Sequence, residues 1–307
     1  AVAAMMTILD GGVTSNPPIE CLFTTSEETG MDGAGNFDYS LLRARRMINL
    51  DNEELGGLIA GCAGGVRSEI SLPITTVPCA KTRVEIELKG LCGGHSGACI
   101  HMGRANANKL MARILTALHA EHPFRLVSME GGSKDNAIPR SCQATMVAMG
   151  INLERINDIA EQLQAEIREQ YDEPEATVQA FDVDALGGNS LTTEATAKVI
   201  GLLCAAPNGV QAMSQDMPGL VQTSLNMGIT KLGERFVATF SVRSSVEVEK
   251  RALLNQLRDR AEFYSAGYSE RGDYPAWEYR KDSPLRDKMV EIYRQMYGND
   301  PEVVAIH

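Results

Sequence analysis

Thr82-Arg-Val-Glu-Ile-Glu-Leu-Lys-Gly-Leu91 is the stretch from which the fold can be read. Its apolar residues Val84, Ile86 and Leu88 alternate with charged ones, the period of a half-buried strand. Ala107, Leu110, Met111, Ile114, Leu115 and Leu118 then recur at intervals of three and four, the apolar stripe of a helix. Strand patterns follow over 124–129 and 142–149, a second helical stripe carries Ile156, Ile159, Leu163 and Ile167, and Val178 to Val183 alternates again. Strand, helix, strand, strand, helix, strand is the order of a ferredoxin-like unit.

A similar order recurs beyond Gly187. A helix is expected around Thr193 to Cys204, a short strand near Val210, alternating segments over Leu220 to Ile229 and Phe236 to Val242, and a helix through Leu254, Leu257 and Ala261. The two together make a sheet of two ferredoxin-like halves. No residue-level repeat links the two halves, so the duplication is one of topology.

Upstream, Ile19-Glu-Cys-Leu-Phe-Thr-Thr-Ser-Glu27-Glu28-Thr-Gly30 and Met47-Ile-Asn-Leu-Asp51 are two apolar stretches that each end in carboxylates. Leu41, Leu42 and Met47 mark a short helix between them. Read as neighbouring parallel strands, they place Glu27, Glu28 and Asp51 at carboxyl ends, where ligands of α/β enzymes gather. Adjacent glutamates can divide hydrolytic work, one gripping a metal ion and the other taking a proton from water. By base rate alone, a solvated Glu-Glu step in a surface loop is the commoner reading.

The chain of 307 residues is 44% hydrophobic and 22% charged, enough for substantial cores and about two domains. Its net charge of −11 opposes non-specific binding of nucleic acid or an anionic membrane. Seven scattered cysteines, without Cys-x-x-Cys spacing, read as free thiols in a reducing, cytoplasmic compartment. No apolar run approaches the roughly 20 residues that span a bilayer.

Several runs, in order, carry a family resemblance: Leu22-Phe-Thr-Thr-Ser-Glu-Glu-Thr-Gly30, Ile48-Asn-Leu-Asp-Asn-Glu-Glu54, Leu88-Lys-Gly-Leu-Cys-Gly-Gly-His-Ser-Gly97, Asn106-Ala-Asn-Lys-Leu110 and Asn136-Ala-Ile-Pro-Arg140. Ala206-Pro-Asn-Gly-Val210, Thr223-Ser-Leu-Asn226, Val242-Arg-Ser-Ser245 and Val304-Ala-Ile-His307 continue it. Together they resemble the aminoacyl-histidine dipeptidases, relatives of carnosinase, over nearly the whole chain. The ordered series is far more specific than a lone Glu-Glu or Gly-Gly-His-Ser-Gly.

That resemblance implies an α/β fold: part of a zinc-peptidase α/β catalytic domain (1–63 and 278–307) with an inserted α+β lid of two ferredoxin-like halves (64–277). It implies two zinc ions, replaceable by cobalt or manganese, and a short peptide as substrate. It assigns Glu27 as general base, Glu28 as ligand of one metal, Asp51 as ligand of the other, and His95 as hydrogen-bond donor to the developing oxyanion. Asn136 would hold the substrate backbone and Arg243 its carboxylate. Without the resemblance, His95 reads more readily as a loop or packing residue, Asn136 as a turn residue and Arg243 as a surface arginine.

The family pattern further has a His-x-Asp pair and an Asp upstream of the region matching Ala1, and a histidine ligand beyond that matching His307. The chain is accordingly expected to be a fragment with little or no activity by itself. Some family branches form homodimers, and others build an equivalent lid within one chain. Two other classes compete: a related amidohydrolase acting on N-acyl amino acids, and a non-catalytic binding or dimerisation fragment.

Overall fold

A computed structural model describes residues 1–12, 18–27, 31–52, 55–79, 82–148, 150, 152–183 and 187–307. The chain divides into two compact units, Gly61–Tyr279 with Ala305–His307, and Ala1–Ala60 with Arg280–Val304. In chain order the helices are α1 Val2–Leu9, α2 Asp32–Gly35, α3 Ala107–Glu121, α4 Leu153–Tyr171, α5 Thr193–Ala205, α6 Glu247–Phe263 and α7 Pro284–Tyr297. The strands begin with β1 Gly57–Cys62, β2 Gly64–Pro73, β3 Thr76–Pro78, β4 Arg83–Lys89, β5 Gly94–His95, β6 Phe124–Gly131, β7 Ala137–Ile138 and β8 Cys142–Ala148. They continue with β9 Thr177–Val183, β10 Asn189–Leu191, β11 Gly209–Met213, β12 Val221–Leu232, β13 Arg235–Ser244, β14 Gly267–Tyr274 and β15 Glu302–Ile306.

The larger unit is built on one antiparallel sheet in the order β14-β2-β13-β12-β6-β8-β4-β9, with β11 beside β12. Its first half runs β4-α3-β6-β8-α4-β9 along the chain and lies β6-β8-β4-β9 in space, the ferredoxin-like arrangement read from the sequence. The second half repeats that spatial pattern as β12-β13-β2-β14, with α5 and α6 as its helices. Its first strand is β2, which precedes the entire first half and so lies outside the stretch after Gly187 where the second half is expected; the short strand near Val210 is the edge strand β11. β2 is fixed by burial: Val66, Ser68, Ile70 and Leu72 are inside, and it pairs with β13 from Ser244↔Gly64 to Arg235↔Pro73.

One apolar core serves both halves. Val84, Ile86 and Leu88 of β4 and Phe236, Phe240 and Val242 of β13 pack with Leu110 and Ile114 of α3, Ile156 and Ile167 of α4, Val199 of α5, and Leu254 and Leu257 of α6. Helix ends are capped as expected of their residues. Asn106 accepts the Asn108 and Lys109 amides, Asn152 that of Arg155, and Thr192 that of Ala195. Lys109 Nζ donates to the carbonyls of Leu203, Cys204 and Ala206, binding α3 to the carboxyl end of α5.

The smaller unit departs from expectation. Ile19 to Thr24 and Met47 to Asp51 are irregular backbone, not paired parallel strands, and among the described residues between them stand the four-residue α2 and a 3-10 turn at Tyr39–Leu41. A parallel strand needs hydrogen-bonded neighbours and cover on both faces. Here Ile19, Phe23, Met47, Ile48 and Leu50 are all exposed. The segments are tied instead by a side chain, the Glu20 carboxylate accepting the Arg43 and Ala44 amides at 3.0 and 2.6 Å.

The core makes a measurable contrast. Phe240 is 0% exposed and Phe263 is 79% exposed. Phe240→Ala is expected to cost about 3–5 kcal/mol in urea unfolding, and Phe263→Ala to stay within roughly 0.5 kcal/mol of the parent.

Candidate active site

His95 owes its place to a short ribbon. β5 pairs with β7, setting Gly94 against Ile138 and His95 against Ala137, and the Ser96 amide donates to the Asn136 carbonyl at 2.9 Å. The sequence-assigned His95 and Asn136 are therefore neighbours, although 41 positions of chain part them. The loop after β5 folds back so that His95 Nδ1 accepts the amides of Gly97 and Ala98 at 3.2 and 3.1 Å. An imidazole that accepts at Nδ1 and is neutral carries its proton at Nε2. His95 is exposed as a residue, but partial desolvation of its ring and, after it, the charge of Arg243 push its pKa below the ordinary value. The ring is thus a neutral hydrogen-bond donor through Nε2.

Arg243 stands on β13, directly across from Ser224 of β12. Its Nε is buried without a hydrogen-bond partner, and no carboxylate pairs with it among the described residues. Ser224 Oγ and His307 Nε2 are 2.6 Å apart. Burial first, and Arg243 second, push the His307 pKa down to about 4. The backbone of His307 also closes on the His95 loop: a Cβ on Gly97 would stand 2.8 Å from the His307 carbonyl oxygen and 3.2 Å from the His95 ring. Only glycine admits that approach. Ser224 lies in a run that bears the resemblance but has no role assigned from it; its register opposite Arg243 brings it to the site.

Two neutral imidazoles, both within electrostatic reach of one unpaired guanidinium, are groups suited to an anion. A guanidinium matches a carboxylate in bidentate fashion, and a preset N–H donor stabilises charge that develops on oxygen. The Asn136 carboxamide makes no hydrogen bond among the described residues and is half-buried beside His95.

The carboxylates assigned from the sequence belong to the smaller unit. Glu27 is exposed, directly after Ser26 with its positive φ of 60°. Glu28 lies outside the described residues. Asp51 is exposed, with its amide donating to Asn49 Oδ1 at 3.2 Å. Among the described residues, no three His, Cys, Asp or Glu side chains converge as a metal cage.

Residues 86–175, the greater part of the first half, match the peptidase dimerisation domain of the M20 family. All of the chain aligns, at 32% identity over 311 residues, with 64% of the cytosol non-specific dipeptidase of Escherichia coli (strain K12). The crystal structure of aminoacylhistidine dipeptidase from Vibrio alginolyticus superposes with a TM-score of 0.85 at 32% identity, covering 92% of this chain and 59% of that one. The fold is that of the Vibrio alginolyticus dipeptidase, with a peptidase dimerisation domain of the M20 type in its first half. The chain is similar to these dipeptidases along nearly all of its length and spans a little under two thirds of theirs.

The two histidines give a pH test. Both have folded-state pKa values below the ordinary histidine value, so each favours the folded state at neutral pH. That contribution is complete above about pH 6.5, the unfolded value, and declines as the solution is acidified. For His307 the decline continues down to about pH 4. An NMR titration is expected to show both rings neutral at pH 7 with His95 protonated at Nε2, and urea unfolding to show stability falling across this interval.

Proposed function

We propose that this chain forms part of a metallopeptidase that hydrolyses dipeptides with a C-terminal histidine, at two zinc ions, in the cytoplasm. The reading is carried by the unpaired Arg243 guanidinium, close enough to bear on a neutral, Nε2-protonated His95. A dipeptide presents a carboxylate for the first and, as its amide is attacked, an oxyanion for the second. Asn136, whose amide is unengaged, holds the peptide backbone between them. Glu27 takes the proton of the attacking water and passes it to the leaving amine.

The metal site needs donors beyond those assembled here. Glu28 and Asp51 offer one carboxylate to each ion, whereas a catalytic zinc ordinarily takes three protein ligands and keeps one open position. The described residues do not make such a cage. The 307-residue chain alone is expected to bind zinc weakly and turn over little substrate. Tight uptake of two zinc ions with brisk hydrolysis of carnosine would overturn that expectation. The matched dimerisation domain supports a homodimer, to be checked by analytical ultracentrifugation.

Two substitutions test the assignments in the protein with its complete donor set. Glu27→Gln is expected to lower kcat by about 10²–10⁴-fold while zinc content is retained. Arg243→Met is expected to raise KM for a Xaa-His dipeptide steeply and to leave the same dipeptide bearing a C-terminal amide nearly unaffected. Equal losses on acid and amide would remove Arg243 from carboxylate recognition. A preference for N-acyl amino acids over dipeptides would transfer the chain to the related amidohydrolases.

A further inference from the structure

β12 has a gap in its pairing. On one side it is bonded to β13 from Thr223↔Ser244 to Leu232↔Phe236. On the other, β11 covers it only as far as Gly209↔Leu225, and β6 joins only at Thr230↔Gly131. Asn226 to Ile229 thus lie between two partners, in the interior, where unmet backbone polar groups are costly.

Asparagine side chains fill the gap. The Met227 amide donates to Asn208 Oδ1 at 2.8 Å, and the Met227 carbonyl accepts from Asn106 Nδ2 and Asn108 Nδ2, both at 3.1 Å. Asn106 Nδ2 also reaches Asn208 Oδ1 and Asn226 Oδ1 at 3.1 Å each. Asn226 then turns outward from the strand. Its Nδ2 donates to the Asp135 and Ala137 carbonyls at 3.1 and 2.8 Å, the two that flank Asn136. Gly228 allows the close approach, since a Cβ there would stand 2.5 Å from the Asp135 carbonyl oxygen.

The Asn136 segment is therefore gripped from two sides. Asn226 holds it to β12, and the Ser96 amide with the His95↔Ala137 pair holds it to β5. Three runs that bear the family resemblance, Asn106-Ala-Asn-Lys-Leu110, Ala206-Pro-Asn-Gly-Val210 and Thr223-Ser-Leu-Asn226, supply this clasp, though the assigned chemistry uses none of their asparagines. We propose that Asn226 is a positioning residue, which sets the geometry of Asn136 and His95 through the two carbonyls flanking Asn136. The inference rests on the reading of Asn136 and His95 as groups that touch substrate.

One substitution at two positions separates positioning from bulk support. Asn226 uses both amide hydrogens, so Asn226→Asp turns carboxylate oxygens onto two carbonyls. Both bonds to the Asn208 side chain are accepted at Oδ1, so Asn208→Asp keeps them. In the 307-residue chain, Asn226→Asp is expected to speed hydrogen exchange of the Ser96 amide by about tenfold or more and to shift the His95 ring nitrogens, with the Ile86 amide of β4 unchanged. Asn208→Asp should match the parent in all three. In the protein with its complete donor set, Asn226→Asp should lower kcat for a Xaa-His dipeptide about 10²-fold, the scale of a small misplacement, with KM changed far less.

Parallel acceleration at Ser96 and Ile86, no acceleration at either, or equal effects of the two substitutions would overturn the proposal. Should Asn226→Asp not fold, Asn226→Ser takes its place, and failure of both to fold would make the residue plain core and overturn it equally. A parent without peptidase turnover would sink the functional reading, while the exchange measurements would still decide for or against the clasp.

Discussion

The arrangement of the candidate site depends on how β12 satisfies the backbone groups of Met227, between the end of β11 and the start of β6. An antiparallel sheet normally meets this need with another strand. Here the loop from Gly132 to Asn136 crosses the seam between the two ferredoxin-like halves, and a strand in the same place would exclude it. Asparagine carboxamides stand in for the missing peptides because they carry the same donor and acceptor. Each such bond is worth about 1 kcal/mol net, whereas a buried group left unmet costs roughly 1–3 kcal/mol. The seam is closed by side chains, and the loop bearing Asn136 is fastened in closing it.

The electrostatics follow from the same packing. A chain with a net charge of −11 gathers an arginine and two histidines at one place, yet only the arginine is charged at neutral pH. Burial disfavours imidazolium, and a guanidinium nearby disfavours it further. Were His95 protonated, its proton at Nδ1 would meet the Gly97 and Ala98 amides, donor against donor. The backbone, the burial and Arg243 thus agree on one protonation state, the one that leaves Nε2–H as the ring's donor.

Much of the larger unit was legible because its signals are local. Val84, Ile86 and Leu88 alternate, and Leu110, Ile114 and Leu118 recur, whatever the rest of the chain does. β2 is not legible because Gly64-Gly65 opens it and the polar Ser68 takes an inward position in its alternation. In the smaller unit the error ran the other way: Ile19 to Thr24 and Met47 to Asp51 have strand-like composition, but a parallel strand is made by its neighbours. The site was legible in part. The resemblance pointed to His95, Asn136 and Arg243, but the His95 tautomer lies in two hydrogen bonds, and the Asn106–Asn226 bond joins residues 120 apart.

The two halves contribute unlike groups to the candidate site. His95 and Asn136 come from the first, Arg243 and Ser224 from the second, and the direct strand pairing between the halves consists of Thr230↔Gly131 and Lys231↔Glu130. So short a joint would by itself leave the distance between an oxyanion donor and a carboxylate anchor weakly determined. Side chains add further ties: Lys109 of α3 holds the carboxyl end of α5, and Asn106 and Asn108 reach the Met227 carbonyl of β12. Two ties grip the loop itself: Asn226 joins β12 to the carbonyls around Asn136, and Arg67 of β2 pairs with Asp135. The loop that carries Asn136 beside His95 is thus held from the second half as well as from its own. The halves share one core, and at this loop their separation becomes a fixed length.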